Sequence, residues 1–491
     1  MVKTYQEESN TLLIYDECDV LVVGGGSAGH SAAVAAARAG CEKVILMERY
    51  GYFGGDAVGD FVLAVPGLSW RKYSMTRGIQ EEWFTRLEKN TTDGVIGVPL
   101  DELEDASPIK IHYWSSRFGA RGSGSTGEKQ YLSRSPIFEP NQLKIEMDMM
   151  VQELPNIKVM LHCWGTKPIM DGNTIKGVIY ESKEGRKAVM AKVVIDATGD
   201  GDIYSQAGAP YYSYPMNHPS PVYATALVWR MGGVDYDKYA LWSKDHPQEA
   251  QSLLAEIRKV AGYNTMFFAS TRNDVVWFNN WLTGKNCIDI QDIKETEFMV
   301  RNSIRRIIKF MQSALPMIFK NAYLYDIAPQ FGPRNTRRLD GEYVITPLEF
   351  ATVPKHDDVV AWHTAGGMIN GGVPIELPYR SILPKKIENL LCPGRHFSAD
   401  EKAIGTLYLI PYCVGMGQAA GVAAAVAVKD STTTHNVNIK TVQKILCTEQ
   451  DVPLPRQENT DPELVRELEE IKYGTMTEAA KKLRAEAGLD W

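Results

Sequence analysis

None of the seven cysteines stands in a CxxC pair. They are scattered at 18, 41, 163, 287, 392, 413 and 447, an odd, dispersed set that reads as reduced thiols. Zinc fingers, cysteine-ligated iron–sulfur clusters and CxxCH haem attachment have no support, and no metal site is expected. Basic charge is not in excess: 53 Lys+Arg stand against 60 Asp+Glu, a formal net charge of -7. Without a basic stripe the chain is not expected to grip nucleic acid. No apolar run is long enough to cross a bilayer; Val20–Val23 is short and Ala419–Val428 stops well short of a span. The first residues carry acids where a secretory leader has bases, so a reducing cytoplasm is the expected location. Internal repeats are missing. What remains, 44% hydrophobic and 23% charged over 491 residues, excludes a disordered or fibrous chain and is more than one simple core.

From Asp19 the sequence reads DVLVVGGGSAGHSAAVAAARAGCEKVILMER. An apolar β-branched run fits a strand buried on both faces. Gly24, Gly26 and Gly29 then form a GxGxxG, followed by an Ala-rich helix and a second buried strand ending at Glu48. In such a unit the glycines allow a tight turn, a close approach to pyrophosphate and close helix–strand packing, and the acid meets a ribose hydroxyl. The bland alternative is a glycine-rich turn in an ordinary βαβ. Gly122, Gly124 and Gly127 repeat the spacing without a strand before or a helix after, so they read as a loop, and no second NAD(P)H domain is expected.

Further glycine-rich stretches follow: RYGYFGGDAVGD after Glu48, KVVIDATGDGD at 192–202, Pro393-Gly394-Arg395 after a short strand, and GMGQAAG at 415–421 opening an Ala-rich helix. The set VVGGGSAG, ERYGYFGG, VIDATGDGD, PYRSILP and GMGQAAG resembles the FAD-dependent oxidoreductases of the glutathione-reductase-like, fumarate-reductase-related group. The resemblance covers 19–60, 155–205 and 330–430. It implies an α/β architecture: a Rossmann-type FAD-binding domain with an inserted α+β cap and a helical C-terminal tail. The FAD-binding domain is expected at 1–60, 155–210 and 345–430, a mainly helical insertion at 61–154, a substrate or cap domain at 211–344 and the tail at 431–491.

Carried over residue by residue, the resemblance implies that Gly24, Gly26, Ser27, Ala28 and Gly29 hold the pyrophosphate and Glu48 the adenosine ribose, with Arg49 also at the cofactor. Gly54, Gly55 and Asp56 would run toward the ring. Gly165 would meet adenine, with Thr198 and Gly199 close by, and Gly394 and Arg395 would approach the second phosphate and ribitol. Gly417, Gln418 and Ala419, at a helix N-terminus, would face the flavin carbonyl end. Two departures stand out. Relatives often carry an acid where this chain has Arg395, leaving Asp400 or a backbone contact as substitutes. No histidine lies between His30 and His112, where relatives with histidyl-linked flavin carry it, so non-covalent FAD is expected.

The middle of the chain is rich in Tyr and Trp, either a pocket lining or the cap's own core. Arg230 and Arg272 lie there as alternative carboxylate clamps or solvated charges. Proton transfer to accompany hydride transfer needs a partner. His363, before a glycine-rich loop, is the candidate base or acid, with Arg334, Arg380 and Tyr412 as further catalytic candidates; a structural histidine is the alternative. The expected activity is dehydrogenation of a small organic substrate by hydride transfer to flavin N5, with an external electron acceptor. The alternative is reduction of an activated C=C bond with an external donor; a remote one is a non-catalytic or RNA-modification subunit. A homo-oligomer is compatible with the size.

Overall fold

The computed structural model describes residues 5–7, 11–65, 67–104, 107–118, 131–213, 224–364, 373–469, 481, 482 and 485. The loop expected at 122–127, the glycine-rich loop after His363 and the end of the tail lie outside the described residues.

The chain opens with β1 (Ile14–Val23), α1 (Ser27–Arg38) and β2 (Val44–Glu48). The last six residues of β1 and all of β2 are buried, as continuous apolar strands must be when both faces are covered. Three helices follow, α2 (Ile79–Asn90), α3 (Pro108–Phe118) and α4 (Pro140–Gln152). Strands β3 (Ile157–Leu161), β4 (Trp164–Asp171), β5 (Thr174–Ser182) and β6 (Gly185–Asp196) then complete most of one sheet, in the order β3-β2-β1-β6-β5-β4. The β3, β2, β1 and β6 pairings are parallel; β5 and β4 extend the sheet antiparallel from the first half of β6.

The cap carries β7 (Trp229–Gly232), α5 (Tyr236–Asp245), α6 (Pro247–Ala261), β8 (Asn264–Ala269), β9 (Val275–Trp281), α7 (Ile290–Ala314) and β10 (Tyr323–Ile327). Its antiparallel sheet runs β8-β9-β7-β10. Trp229 stacks on Phe278 at 4.0 Å and Tyr239 lies 4.7 Å from Phe267, so most of the aromatic richness forms the cap's core. Arg230 does not face a substrate: it is 1% exposed and bonds Asp326 of β10 at 2.5 Å and Glu139, at the head of α4, at 2.6 Å. Arg272 pairs with Asp274 at the surface.

The chain returns to the first sheet with β11 (Leu390–Leu391), parallel to the end of β6, and α8 (Ile410–Lys429). α8 lies against α1, backbone to backbone. A Cβ added at Gly417 would fall 2.2 Å from the Ala28 carbonyl oxygen, and one at Gly421 2.2 Å from that of Ala32. Among the described residues α8 is the one helix long and apolar enough to cross a membrane, and 89% of its apolar window is buried inside the protein, as a core helix would be. It starts five residues earlier than the glycines suggest, at Ile410, with Pro411 in its first turn.

Candidate active site

Strand register places the site. Val23 of β1 is level with Met47 of β2 and with Asp196 of β6, so three parallel strands end flush, with β1 between neighbours reached in opposite directions. A crevice at the carboxyl ends of such strands is where α/β sheets take ligands. The crevice here is lined by Gly24, Gly26, Ser27 and Ala28 from the first turn, Glu48 and Arg49 after β2, and Gly55 and Asp56 from the next glycine-rich stretch. Gly165, Thr198, Gly199, Gly394 and Arg395 complete the expected set brought together there.

Local chemistry explains the shape. Glu48, 6% exposed, accepts the Gly25 N–H at 2.6 Å and the Tyr50 N–H at 2.8 Å, tying the glycine turn to the end of β2; burial pushes its pKa up. The second glycine stretch folds onto the first: Gly54 N–H donates to the Gly25 carbonyl at 2.9 Å, and Ser27 Oγ donates to the Gly54 carbonyl at 3.1 Å. The N-terminus of α1 opens into the crevice, a position that suits phosphate. Gly29 and Gly54 do not line it. Gly29 is a packing residue, since a Cβ there would lie 1.7 Å from the Gly24 carbonyl oxygen.

The residue that departs from the expected pattern is the floor of the crevice. Arg395 bridges Asp56 at 3.1 Å and Asp200 at 2.9 Å. Burial works against ionisation of Asp200, yet Arg395 and the Thr336 hydroxyl at 2.6 Å hold its carboxyl below the ordinary range; for Asp56 burial outweighs Arg395 and the pKa is raised. The Arg395 Nε is buried without a protein partner, a donor left for a ligand. Asp400 does not substitute for the missing acid: its carboxylate caps the helix Glu401–Leu407 through the Lys402 and Ala403 N–H groups.

Gly417, Gln418 and Ala419 are corrected by the fold. They sit two turns inside α8, with Gln418 bonded to Gln450 at 3.0 Å and to the Ile79 N–H at 3.3 Å. It is the first turn of α8 that reaches the crevice, contributing Ile410 and Cys413 to its lining. Sequence reasoning also missed Asp202, Tyr408 and Gln330, whose side-chain amide donates to Asp56 at 3.1 Å. Pro411 was the available signal for the helix start.

A second cavity of about 310 Å³ adjoins the crevice and shares Asp56, Tyr408 and Ile410 with it. Its walls are mainly apolar, with Val62, Ile137, Phe268 and Trp277 among them, and its polar side chains include Asp60, Arg117, Asn279 and Arg334. Arg334 is preset: it donates to Tyr408 Oη at 2.7 Å and Asn279 Oδ1 at 3.3 Å and lies over the Trp281 ring at 5.2 Å. Its Nε is buried and unpartnered.

The other three catalytic candidates line neither space. His363 is enclosed beneath α8 with neither ring nitrogen hydrogen-bonded, and burial lowers its pKa to about 4. It borders a separate small cavity with Thr76, Gln80 and Gln418. Tyr412 stands edge-on to His363 at 5.4 Å and donates to the Thr364 carbonyl. Arg380 pairs with Asp358 at 3.0 Å at the surface.

The crevice fits a dinucleotide. Its lining comes from both glycine turns, the α1 N-terminus and the α8 N-terminus, with an orphaned guanidinium donor on its floor. Comparison with known proteins agrees. The profile of the FAD dependent oxidoreductase family matches residues 19–446. The chain is similar to urocanate reductase of Eggerthella lenta, 28% identical over 209 residues, 37% of this chain and 32% of that protein. It is also similar to digeranylgeranylglycerophospholipid reductase 1 of Methanopyrus kandleri, 25% identical over 232 residues, 47% of this chain and 52% of that protein. The match thus spans about a third to a half of the length of these relatives. A solved geranylgeranyl bacteriochlorophyll reductase-like structure from Thermoplasma acidophilum overlays with a TM-score of 0.46 at 14% identity, covering 96% of this chain and 99% of that one. The chain belongs to the FAD-dependent oxidoreductase family, and FAD is its cofactor.

Proposed function

We propose that this flavoenzyme reduces a carbon–carbon double bond in an organic substrate whose apolar body fills the second cavity and whose polar or anionic end meets Arg334. The observation that carries this is the cavity itself, apolar-walled, adjoining the cofactor crevice through shared wall residues and provided with one preset guanidinium. Arg334 is half-buried and held in one orientation with its Nε–H free, so it can meet a carboxylate or phosphate at lower cost than a freely solvated arginine. FAD, when bound in the crevice, supplies the ring that gives or takes a hydride. The protein orients the substrate beside it, excludes water with Phe268 and Trp277, and neutralises the substrate's charge at Arg334. The reducing direction is supported by the two curated relatives above, both named reductases. The dehydrogenation expected from sequence is the second reading, because the same cavity serves a saturated substrate.

The test is anaerobic and read in the visible flavin band. Protein reduced with dithionite, freed of excess, is mixed with apolar enoates such as cinnamate and with prenylated alkenes; recovery of the oxidised band identifies a reductase. Bleaching of the oxidised protein by saturated acids, alcohols or amines, with no recovery by alkenes, replaces it with a dehydrogenase. Acid precipitation checks the linkage: non-covalent FAD leaves with the supernatant.

A further inference from the structure

Asp60 is 2% exposed and forms no ion pair with any described residue, although it lines a cavity that also holds Arg117 and Arg334. One of its oxygens, Oδ1, accepts the Val228 N–H at 3.2 Å. The other receives no hydrogen bond from a described residue. Space for it is made by the chain opposite: a Cβ added at Gly332 would fall 1.8 Å from Oδ2, so only glycine there leaves the carboxyl group in place. The arrangement differs from that of Asp56, four residues earlier, which is engaged by Arg395 and Gln330 on the cofactor side. A carboxyl group anchored by one oxygen, bare at the other and set in an apolar substrate space has the form of a proton carrier.

We propose that Asp60 is the acid–base residue of the substrate cavity, exchanging with the substrate the proton that accompanies hydride transfer. This deepens the function proposed above and rests on it. In the reducing direction the Oδ2–H bond breaks and the proton bonds to one carbon of the double bond, with the π pair forming that C–H bond. The other carbon receives the hydride carried by reduced FAD. The substrate gains two electrons, the cofactor loses them, and Asp60 is left a carboxylate until solvent reprotonates it; an external two-electron reductant restores the cofactor. Three charged groups bear on this carboxyl group, Asp56 on its own turn, Arg334 after β10 and Arg395 after β11; Arg117 of α3 lines the same cavity but pairs with Asp237. Burial, seconded by Asp56, raises the Asp60 pKa well above the ordinary carboxyl value, against the pull of the arginines.

The test uses the FAD-loaded protein and Asp60→Asn, which keeps the size and an acceptor for the Val228 N–H but carries no exchangeable acid proton. The infrared difference spectrum of wild type minus D60N at neutral pH should show the carbonyl stretch of a protonated carboxyl group, shifted in heavy water; its absence overturns the proposal. With the alkene that reoxidises the wild type, D60N should lose about 10²–10⁴-fold in kcat, with FAD content and KM little changed. It should also lose the high-pH fall in rate that ionisation of Asp60 gives the wild type. D60N that keeps more than a tenth of wild-type kcat, or the same pH profile, overturns the assignment. A wild type that reduces no alkene in the panel overturns the function proposed above instead, and the carboxyl band then decides on Asp60 alone.

Discussion

His30 is fully buried and His363 nearly so, and burial holds each imidazole's pKa at about 4, against 6.5 when exposed. The unfolded chain therefore takes up protons below pH 6.5 that the native state refuses, so stability is fully present above that pH and is lost as pH falls toward 4. At 1.36 kcal/mol per unit the loss reaches at most about 3 kcal/mol per histidine. Urea unfolding of the apoprotein between pH 7 and pH 4.5 should show this decline, and His363→Leu should remove its own share; parallel lines for the two proteins would show that His363 is not held neutral. Side chains of this kind mark the limit of what the sequence discloses. His363 precedes a glycine-rich loop and so looks catalytic, but no local pattern reports that a helix from 410 onward closes over it. Asp56 and Asp60 share one short stretch, DAVGD, and only Arg395 and Gly332, hundreds of residues away, separate the cofactor's neighbour from the substrate's.

At the scale of elements, the opening βαβ was readable because every determinant is local: apolar strands, glycines at the turn, an alanine helix and a terminal acid. α8 was misplaced by the same reasoning. Its GMGQAAG imitates a phosphate loop, yet two of its glycines serve a helix crossing. That crossing makes a discriminating prediction. Gly417→Ala and Gly421→Ala each force α8 off α1 and should each destabilise by about 1–3 kcal/mol, as overpacking does. Ala28 lines the cofactor crevice and Ala32 does not, so only Gly417→Ala should also weaken FAD binding markedly. Fluorescence titration of the two apoproteins with FAD checks this; equal losses of affinity would mean that the crossing does not shape the crevice.

For the whole molecule, the second cavity was not legible in advance. Its walls come from the 56–64 stretch, from Arg117 and Ile137, from Ala226, Phe268, Trp277 and Asn279 of the cap, and from Gly332, Arg334 and the start of α8, parts that carry no shared motif and meet only in the tertiary structure. Among the contacts that join these parts is an ion-pair bridge. Arg230 of the cap joins Asp326 to Glu139 at the head of α4. Arg230→Met leaves two half-buried carboxylates without their partner and should cost about 1–3 kcal/mol, less than breaking a fully buried pair because both acids keep some access to solvent. Because the cavity lies between those parts, substrate-dependent turnover should fall more than FAD binding does. Differential scanning calorimetry together with FAD titration checks both, and a variant as stable as the wild type would remove Arg230 from this role.

The pairing of α1 with α8 also sets a schedule for synthesis. The apolar face of α1 is finished at Arg38, whereas the helix that covers it begins at Ile410 and the strand that flanks β6 at Leu390. At roughly 5–20 residues per second, the ribosome takes on the order of 20–70 s to cover that interval. Throughout it the nascent chain carries a completed glycine turn on an uncovered alanine helix. Neither Arg395 nor the first turn of α8 is yet present to close the crevice. The crevice can thus be completed only late in synthesis, once Arg395 and the first turn of α8 have emerged.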